Sequence, residues 1–242
     1  MIVINQKRIK IILSCILISL FVFTAKTYNK QNKNDGGENI QTTATPASGK
    51  TIIIDAGHGT PDEGAQSSSG TTEAQTNLKI ALKLQNLLEQ NGSKVILTRS
   101  DNNAIYDLDS KTLKQKKISD IKNRVKIGNE NSADIFVSIH LNKLPQSEYH
   151  GWQCFYNTKN EKSIELAKKI QENLNEAIQK ENTRVAMKLN TVYIMKNIEI
   201  PISIVECGFL SNPEEEKKLL EDSYQDRLAW GIYNGILDYF YN

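Results

Sequence analysis

Three segments of the 242-residue chain run from an apolar stretch directly into a side chain able to do chemistry. Ile52-Ile53-Ile54-Asp55-Ala56-Gly57 leads to His58, Phe136-Val137-Ser138-Ile139 leads to His140, and Ile202-Ser203-Ile204-Val205 leads to Glu206. Two of the chain's three histidines hold such positions. In open α/β sheets, sites form beyond the carboxyl ends of the strands, so three ends of this kind can converge. Two neutral imidazoles and one carboxylate, with a fourth position open, are a known composition for catalytic zinc. His58 and His140 would supply the imidazoles. Glu73, at the start of the first helix after the loop that follows His58, would swing back to supply the carboxylate. Glu206 would then be free to act as a base.

Each of these residues also has a plainer reading. A histidine at a strand end is more often hydrogen-bonded than metal-bound, and the glycines around His58 could serve only a turn. Glu73 could do no more than complement a helix dipole. Glu206 is harder to dismiss, because it ends an apolar run and a buried carboxylate needs a partner. No HExxH spacing is present, so spacing alone leaves both readings open.

The elements that must position these residues follow from hydrophobic period. Thr51 to Ile54 is a β-branched run suited to a buried strand. Ala74 to Gln90 is helical, with Leu78, Ala81, Leu84, Leu87 and Leu88 on one face and Gly92 just past its end. Val95 to Thr98 is a short strand, Lys116 to Asn131 a helix, and Ile135 to Ile139 a second buried strand. Gly151 to Tyr156 reads as a strand and Ile164 to Ile178 as a helix with one apolar stripe. Val192 to Met195 and Ile202 to Val205 read as strands. Pro213 opens a glutamate-rich helix, and Asp226 to Phe240 closes the chain as another. Strands alternating with helices predict an α/β fold: a single three-layer domain whose largely parallel sheet has helices on both faces.

Residues 1–25 read as an export signal or an N-terminal anchor. Lys7, Arg8 and Lys10 precede an apolar run from Ile11 to Ala25, which is short for a permanent span of about 20 residues. Phe23 spoils the small-residue pattern before a cut at Ala25, so secretion and anchorage both stay open. Without these three cations the formal net charge of +2 becomes −1, and no clustered basic face for nucleic acid remains. Residues 26–50 are polar and poor in large apolar side chains, as in a flexible tether. The catalytic domain is expected to span 51–242. Cys154 and Cys207 are too few for a disulfide framework and read as buried thiols at least as readily as one bridge.

From Thr51 onward the chain resembles the zinc-dependent N-acetylmuramoyl-L-alanine amidases. The resemblance rests on IIIDAGHG at 52–59, Glu73 opening its helix, VILTR at 95–99, Asn123-Arg124, ADIFVSIHLN at 133–142 and IVECGFLSNPEE at 204–215, all in family order. Within that family the wording is most like the germination amidases of the spore cortex. Arg184 is followed by Val185 where many members have glycine, and the loop Gln66 to Gly70 looks mobile. The resemblance implies one Zn2+ per chain held by His58, Glu73 and His140, with Glu206 as the catalytic glutamate. It implies a peptidoglycan substrate and catalysis outside the cytoplasmic membrane. The expected reaction is hydrolysis of the amide between N-acetylmuramic acid and L-alanine, preceding muramic-δ-lactam formation. A zinc peptidase cutting within the stem peptide and a non-catalytic peptidoglycan-binding module are the alternatives. Because the loop before Glu73 looks mobile, an exported or membrane-tethered accessory protein that promotes zinc binding is a further expectation.

Overall fold

The computed structural model describes residues 44–179 and 182–241; the expected signal or anchor, and most of the expected tether, lie outside them. The strands are β1 (Thr51–Ala56), β2 (Lys94–Leu97), β3 (Ile135–Asn142), β4 (Gln153–Tyr156), β5 (Met187–Lys188) and β6 (Ile202–Phe209). The helices are α1 (Glu73–Gln90), α2 (Leu113–Glu130), α3 (Glu161–Ile178), α4 (Tyr193–Asn197), α5 (Pro213–Leu220) and α6 (Asp222–Tyr241). The six strands form one sheet in the order β2-β1-β3-β6-β4-β5. β1 pairs in parallel with β2 and β3, and β3 in parallel with β6. β4 runs antiparallel to β6, and β5 parallel to β4.

The continuous apolar runs are explained by burial on both faces of the sheet. Ile52, Ile54, Val137, Ile139, Val205 and Cys207 point into one core with Leu84, Leu88, Leu166, Ile170, Leu228 and Ile232, carried by α1, α3 and α6. Ile53, Phe136, Ile202 and Ile204 point the other way, into a smaller core with Ile121 and Val125 of α2 and Ile194, Met195 and Ile198 around α4. Each side chain of this size contributes about 1.5–3 kcal/mol on burial. The three-layer α/β arrangement is thus the one expected. Cys154 and Cys207 are both buried free thiols.

Four local readings need correction. Val192 to Met195, expected as a strand, lies instead at the entry to helix α4, which sets Ile194 and Met195 on the smaller core. The β-branched and aromatic residues there fit a pleated surface, but their packing on the sheet overrides that propensity. β2 leaves Thr98 outside, and β5 has only two exposed residues and carries no periodic pattern. α2 starts at Leu113, three residues before the expected Lys116, because Thr112 and Gln115 form a capping box. The last residues of the expected tether are also packed: Ala47 is buried, Gly49 N–H donates to Gly92 O, and Ser93 Oγ donates to Ala47 O. Among the described residues no helix is long and apolar enough to cross a membrane.

Candidate metal centre

The parallel register places two of the three strand ends side by side. His140 of β3 is the Cα partner of Glu206 of β6, and Ala56 of β1 is the partner of Ile139, so His58 follows just beyond. The loop after β1 then returns to α1, whose first residue is Glu73. Glu73 Oε1 lies 2.9 Å from His140 Nδ1 and 3.3 Å from His58 Nε2. The ligand atoms of His58, Glu73 and His140 all lie within 4.8 Å of one another. Among the described residues this is the group of three whose donors could close around one metal ion. The two imidazoles meet edge to face with ring centroids 5.1 Å apart.

Main chain and a second carboxylate orient the three. Glu73 Oε1 accepts Leu141 N–H at 3.1 Å and Oε2 accepts Ala65 N–H at 2.8 Å. Asn77, one turn along α1 and fully buried, donates to Gly57 O at 3.2 Å. His58 Nδ1 lies 3.3 Å from Asp62 Oδ2, and Lys117 Nζ lies 2.8 Å from the other oxygen of Asp62. A carboxylate behind a metal-binding imidazole fixes its tautomer and raises its basicity. Burial opposes charge on His58, but hydrogen bonds to Asp62 and Glu73 outweigh it and raise its pKa to about 9. Burial likewise opposes ionisation of Glu73, yet the two histidines hold its carboxyl well below the usual range.

His58 adopts φ +63°, a left-handed conformation rare without glycine. Its carbonyl is held by Arg124 Nη2 at 2.5 Å, and Arg124 Nη1 also holds Ala56 O at 2.8 Å. Arg124 is neutralised by Asp55 at 2.5 Å and Asp120 at 2.8 Å. Arg99 approaches from β2 and gives its N–H groups to Ala56 O, Gly57 O and Ala74 O at 2.8–3.0 Å. One buried guanidinium therefore ties the strand end before His58 to the first turn of the helix that carries Glu73.

Glu206 shares the cavity but is not part of the cluster of three. Its Oε2 is buried with no hydrogen-bond partner among the described residues. Burial, assisted by the Glu73 charge and opposed by the two histidines, pushes its pKa up to about 7. The cavity, about 250 Å3, is lined by the polar side chains of His58, His140, Glu206 and Asp62 and by the apolar ones of Leu189, Val192 and Ile194.

The donor set suits zinc, and at two glycines the main chain approaches the ligands too closely for any side chain. A Cβ at Gly57 would overlap the His140 ring, and one at Gly64 would stand 2.5 Å from Glu73 Oε2 and 2.7 Å from His58 Cδ2. An orphaned carboxylate oxygen facing a histidine–carboxylate group is also what a metal-assisted hydrolase needs as base. All four side chains singled out in the sequence thus meet at one place. Sequence reasoning missed Asp62, Asn77 and the Asp55–Arg124–Arg99 scaffold. Asp55 inside the run Ile52 to Ala56 was the available signal, because a charge in a buried strand requires a partner.

The family model described as N-acetylmuramoyl-L-alanine amidase matches residues 52–238. The germination-specific N-acetylmuramoyl-L-alanine amidase of Bacillus subtilis (strain 168) is 37% identical over 195 residues, covering 81% of each chain. The CwlD amidase of Clostridioides difficile, solved in complex with the GerS lipoprotein, is 45% identical with a TM-score of 0.76, covering 78% of this chain and 98% of that one. The catalytic domain of CwlV, the N-acetylmuramoyl-L-alanine amidase of Bacillus (Paenibacillus) polymyxa var. colistinus, is 31% identical with a TM-score of 0.68, covering 78% and 97%.

Proposed function

The chain belongs to the N-acetylmuramoyl-L-alanine amidase family, and on that premise we propose that it hydrolyses the amide between N-acetylmuramic acid and L-alanine in spore-cortex peptidoglycan, using one zinc ion held by His58, Glu73 and His140. The observation that carries this reading is the convergence of those three ligand atoms beside a buried, unpartnered Glu206 oxygen. A zinc ion bound there would supply Lewis acidity, polarising the scissile carbonyl and lowering the pKa of water to about 7.

The chain's own residues supply the rest. Glu206 takes the proton of the attacking water on its carboxylate and returns it to the departing nitrogen of L-alanine, which leaves poorly without it. A carboxyl whose pKa is raised towards neutrality can perform both transfers at one pH. Asp62 holds the Nδ1–H of His58 and leaves Nε2 for the metal. Leu189, Val192 and Ile194 add apolar side chains to the cavity lining, against which the substrate can pack.

The test is digestion of purified peptidoglycan followed by mass spectrometry, with metal analysis of the same protein. New L-alanine N-termini and one zinc per chain are expected. Cuts within the stem peptide, or unchanged peptidoglycan, would overturn the assignment.

Export fits the same reading, with residues 1–25 as signal or anchor and catalysis on the outer side of the membrane. A reporter fused to this segment should leave the cytoplasm. The Clostridioides difficile relative was solved with a lipoprotein. That supports an exported or membrane-tethered accessory protein here, and we propose that it promotes zinc binding. Zinc titration with and without the co-expressed candidate tests it; equal affinities would remove the idea.

A further inference from the structure

The serine-rich part of the loop that ends in Glu73, from Gln66 to Thr72, is tied down from outside at two points, and neither tie belongs to the group proposed to hold zinc. Within the loop, Ser67 N–H donates to Thr71 O at 2.9 Å, Thr71 N–H donates to Ser67 Oγ at 3.0 Å, and Gln66 bridges to Thr72. This small closed turn presents its hydroxyls to α5. There Ser69 Oγ donates to the Glu216 carboxylate. Burial opposes ionisation of Glu216, but the hydroxyls of Ser67, Ser69 and Thr71 outweigh it and keep the group ionised. Glu216 is only 6% exposed although it stands in the first turn of a surface helix. The second tie is Lys143 Nζ, which donates to Gln66 O. The serine-rich segment, expected from its composition to be mobile, is held by side chains that follow β3 and β6.

We propose that Glu216 is a positioning residue for the metal centre: its carboxylate latches the serine loop, and the loop in turn sets the carboxylate of Glu73. The connection is short. Ala65, at the near end of the loop, donates its N–H to Glu73 Oε2 at 2.8 Å and accepts Glu73 N–H at 2.8 Å. Any shift of the loop therefore moves the main chain that orients this carboxylate. His140 lies within β3, and His58, just past β1, is held by Arg124 and Asp62, so neither leans on the serine-rich segment. Glu73 is the member of the group whose second carboxylate oxygen is bonded to the main chain at the edge of that segment, through Ala65. Such a loop carries a large ordering entropy, and the latch offsets it before metal arrives. Glu216 acts through the loop and touches neither substrate nor the reacting atoms.

This inference rests on the zinc-amidase reading, and its test separates the two. Zinc dissociation constants are to be measured by chelator competition for the full chain and for Glu216→Ala, Ser69→Ala and Glu214→Ala. Glu214 is exposed on the same helical turn and controls for lost negative charge. Glu216→Ala should weaken zinc binding by about 10-fold, the lower range for residues that support metal ligands. Ser69→Ala should fall between it and the wild type, and Glu214→Ala should match the wild type. At saturating zinc, the kcat and KM of Glu216→Ala should return to within about 2-fold of wild-type values, which a general loss of structure would not allow. A zinc affinity unchanged in both Glu216→Ala and Ser69→Ala overturns the proposal, as does activity that saturating zinc fails to restore. If Glu216→Ala does not fold, Ser69→Ala decides alone, since it keeps the buried carboxylate and removes one hydroxyl. A wild-type chain that binds no zinc removes the zinc-amidase reading and this inference together. A zinc-binding wild type with unaffected variants removes this inference only.

Discussion

Glu206 and His140 are register partners across the parallel pair β3–β6, so the carboxylate and the imidazole are fixed relative to each other by main-chain hydrogen bonds. Substituting one side chain should leave the other in place. Glu206→Gln keeps the shape but cannot accept a proton. Hydrolysis should fall by about 10²-fold or more while zinc stays bound. Turnover and metal content measured on the same preparation check this. Loss of zinc would make Glu206 a ligand.

The Gly57 position gives a steric test of the same site. A Cβ there would occupy the space of the His140 ring, whose atoms are its three nearest neighbours. Gly57→Ala should push the imidazole aside, weaken zinc by at least about 10-fold and leave the melting temperature of the metal-free protein nearly unchanged. Chelator competition and calorimetry provide the two readings.

Zinc binding should also depend on pH in a defined direction. His58 carries a proton below about 9 in the metal-free protein. A metal needs the lone pair, so binding releases that proton, and apparent affinity should rise with pH between about 6.5 and 9. Asp62→Asn removes a carboxylate that raises this pKa. It should flatten the rise and lower the limiting affinity by about 10-fold. Zinc titrations at a series of pH values would contradict this if the two proteins gave parallel curves.

Stability should depend on the Asp55–Arg124 pair. Burial opposes charge on Asp55, but Arg124, Ser138 and Thr98 hold its carboxyl below the ordinary value of 3.8. A depressed folded pKa means the stabilisation is complete above the unfolded value and disappears as pH falls through the folded one. The wild type should therefore hold this contribution down to about pH 4 and lose it below. Asp55→Asn should cost about 3–5 kcal/mol at neutral pH, because it leaves a buried guanidinium short of one carboxylate. Urea unfolding at pH 7 and at pH 3.5 should show the gap between the two proteins narrowing in acid.

Much of the fold was legible because β1, β3 and β6 are buried on both faces and their sequences say so without interruption. The same runs made His58, His140 and Glu206 visible, since each marks where an apolar strand stops. Glu73 was legible as the acidic start of a helix. The supporting scaffold was not. Arg124 and Asp55 lie 69 residues apart and meet only when α2 crosses the sheet. Tyr193 to Asn197 carries strand-like residues in a helix, since five residues are too few to display a period and packing decides. The serine loop looked loose because composition reports entropy and cannot report that Glu216 waits across a gap of 147 residues.

The packed residues just before β1 bear on how the domain would present itself to an insoluble polymer. Ala47 and Gly49 are anchored beside Gly92 and Ser93, at the end of the sheet where β1 begins. The metal centre lies past the other end of the same strand, and six residues of strand span about 20 Å. The chain thus enters the domain at the end of β1 remote from the metal centre. Force applied through the point of entry would act on the start of β1, a strand's length away from His58, Glu73 and His140.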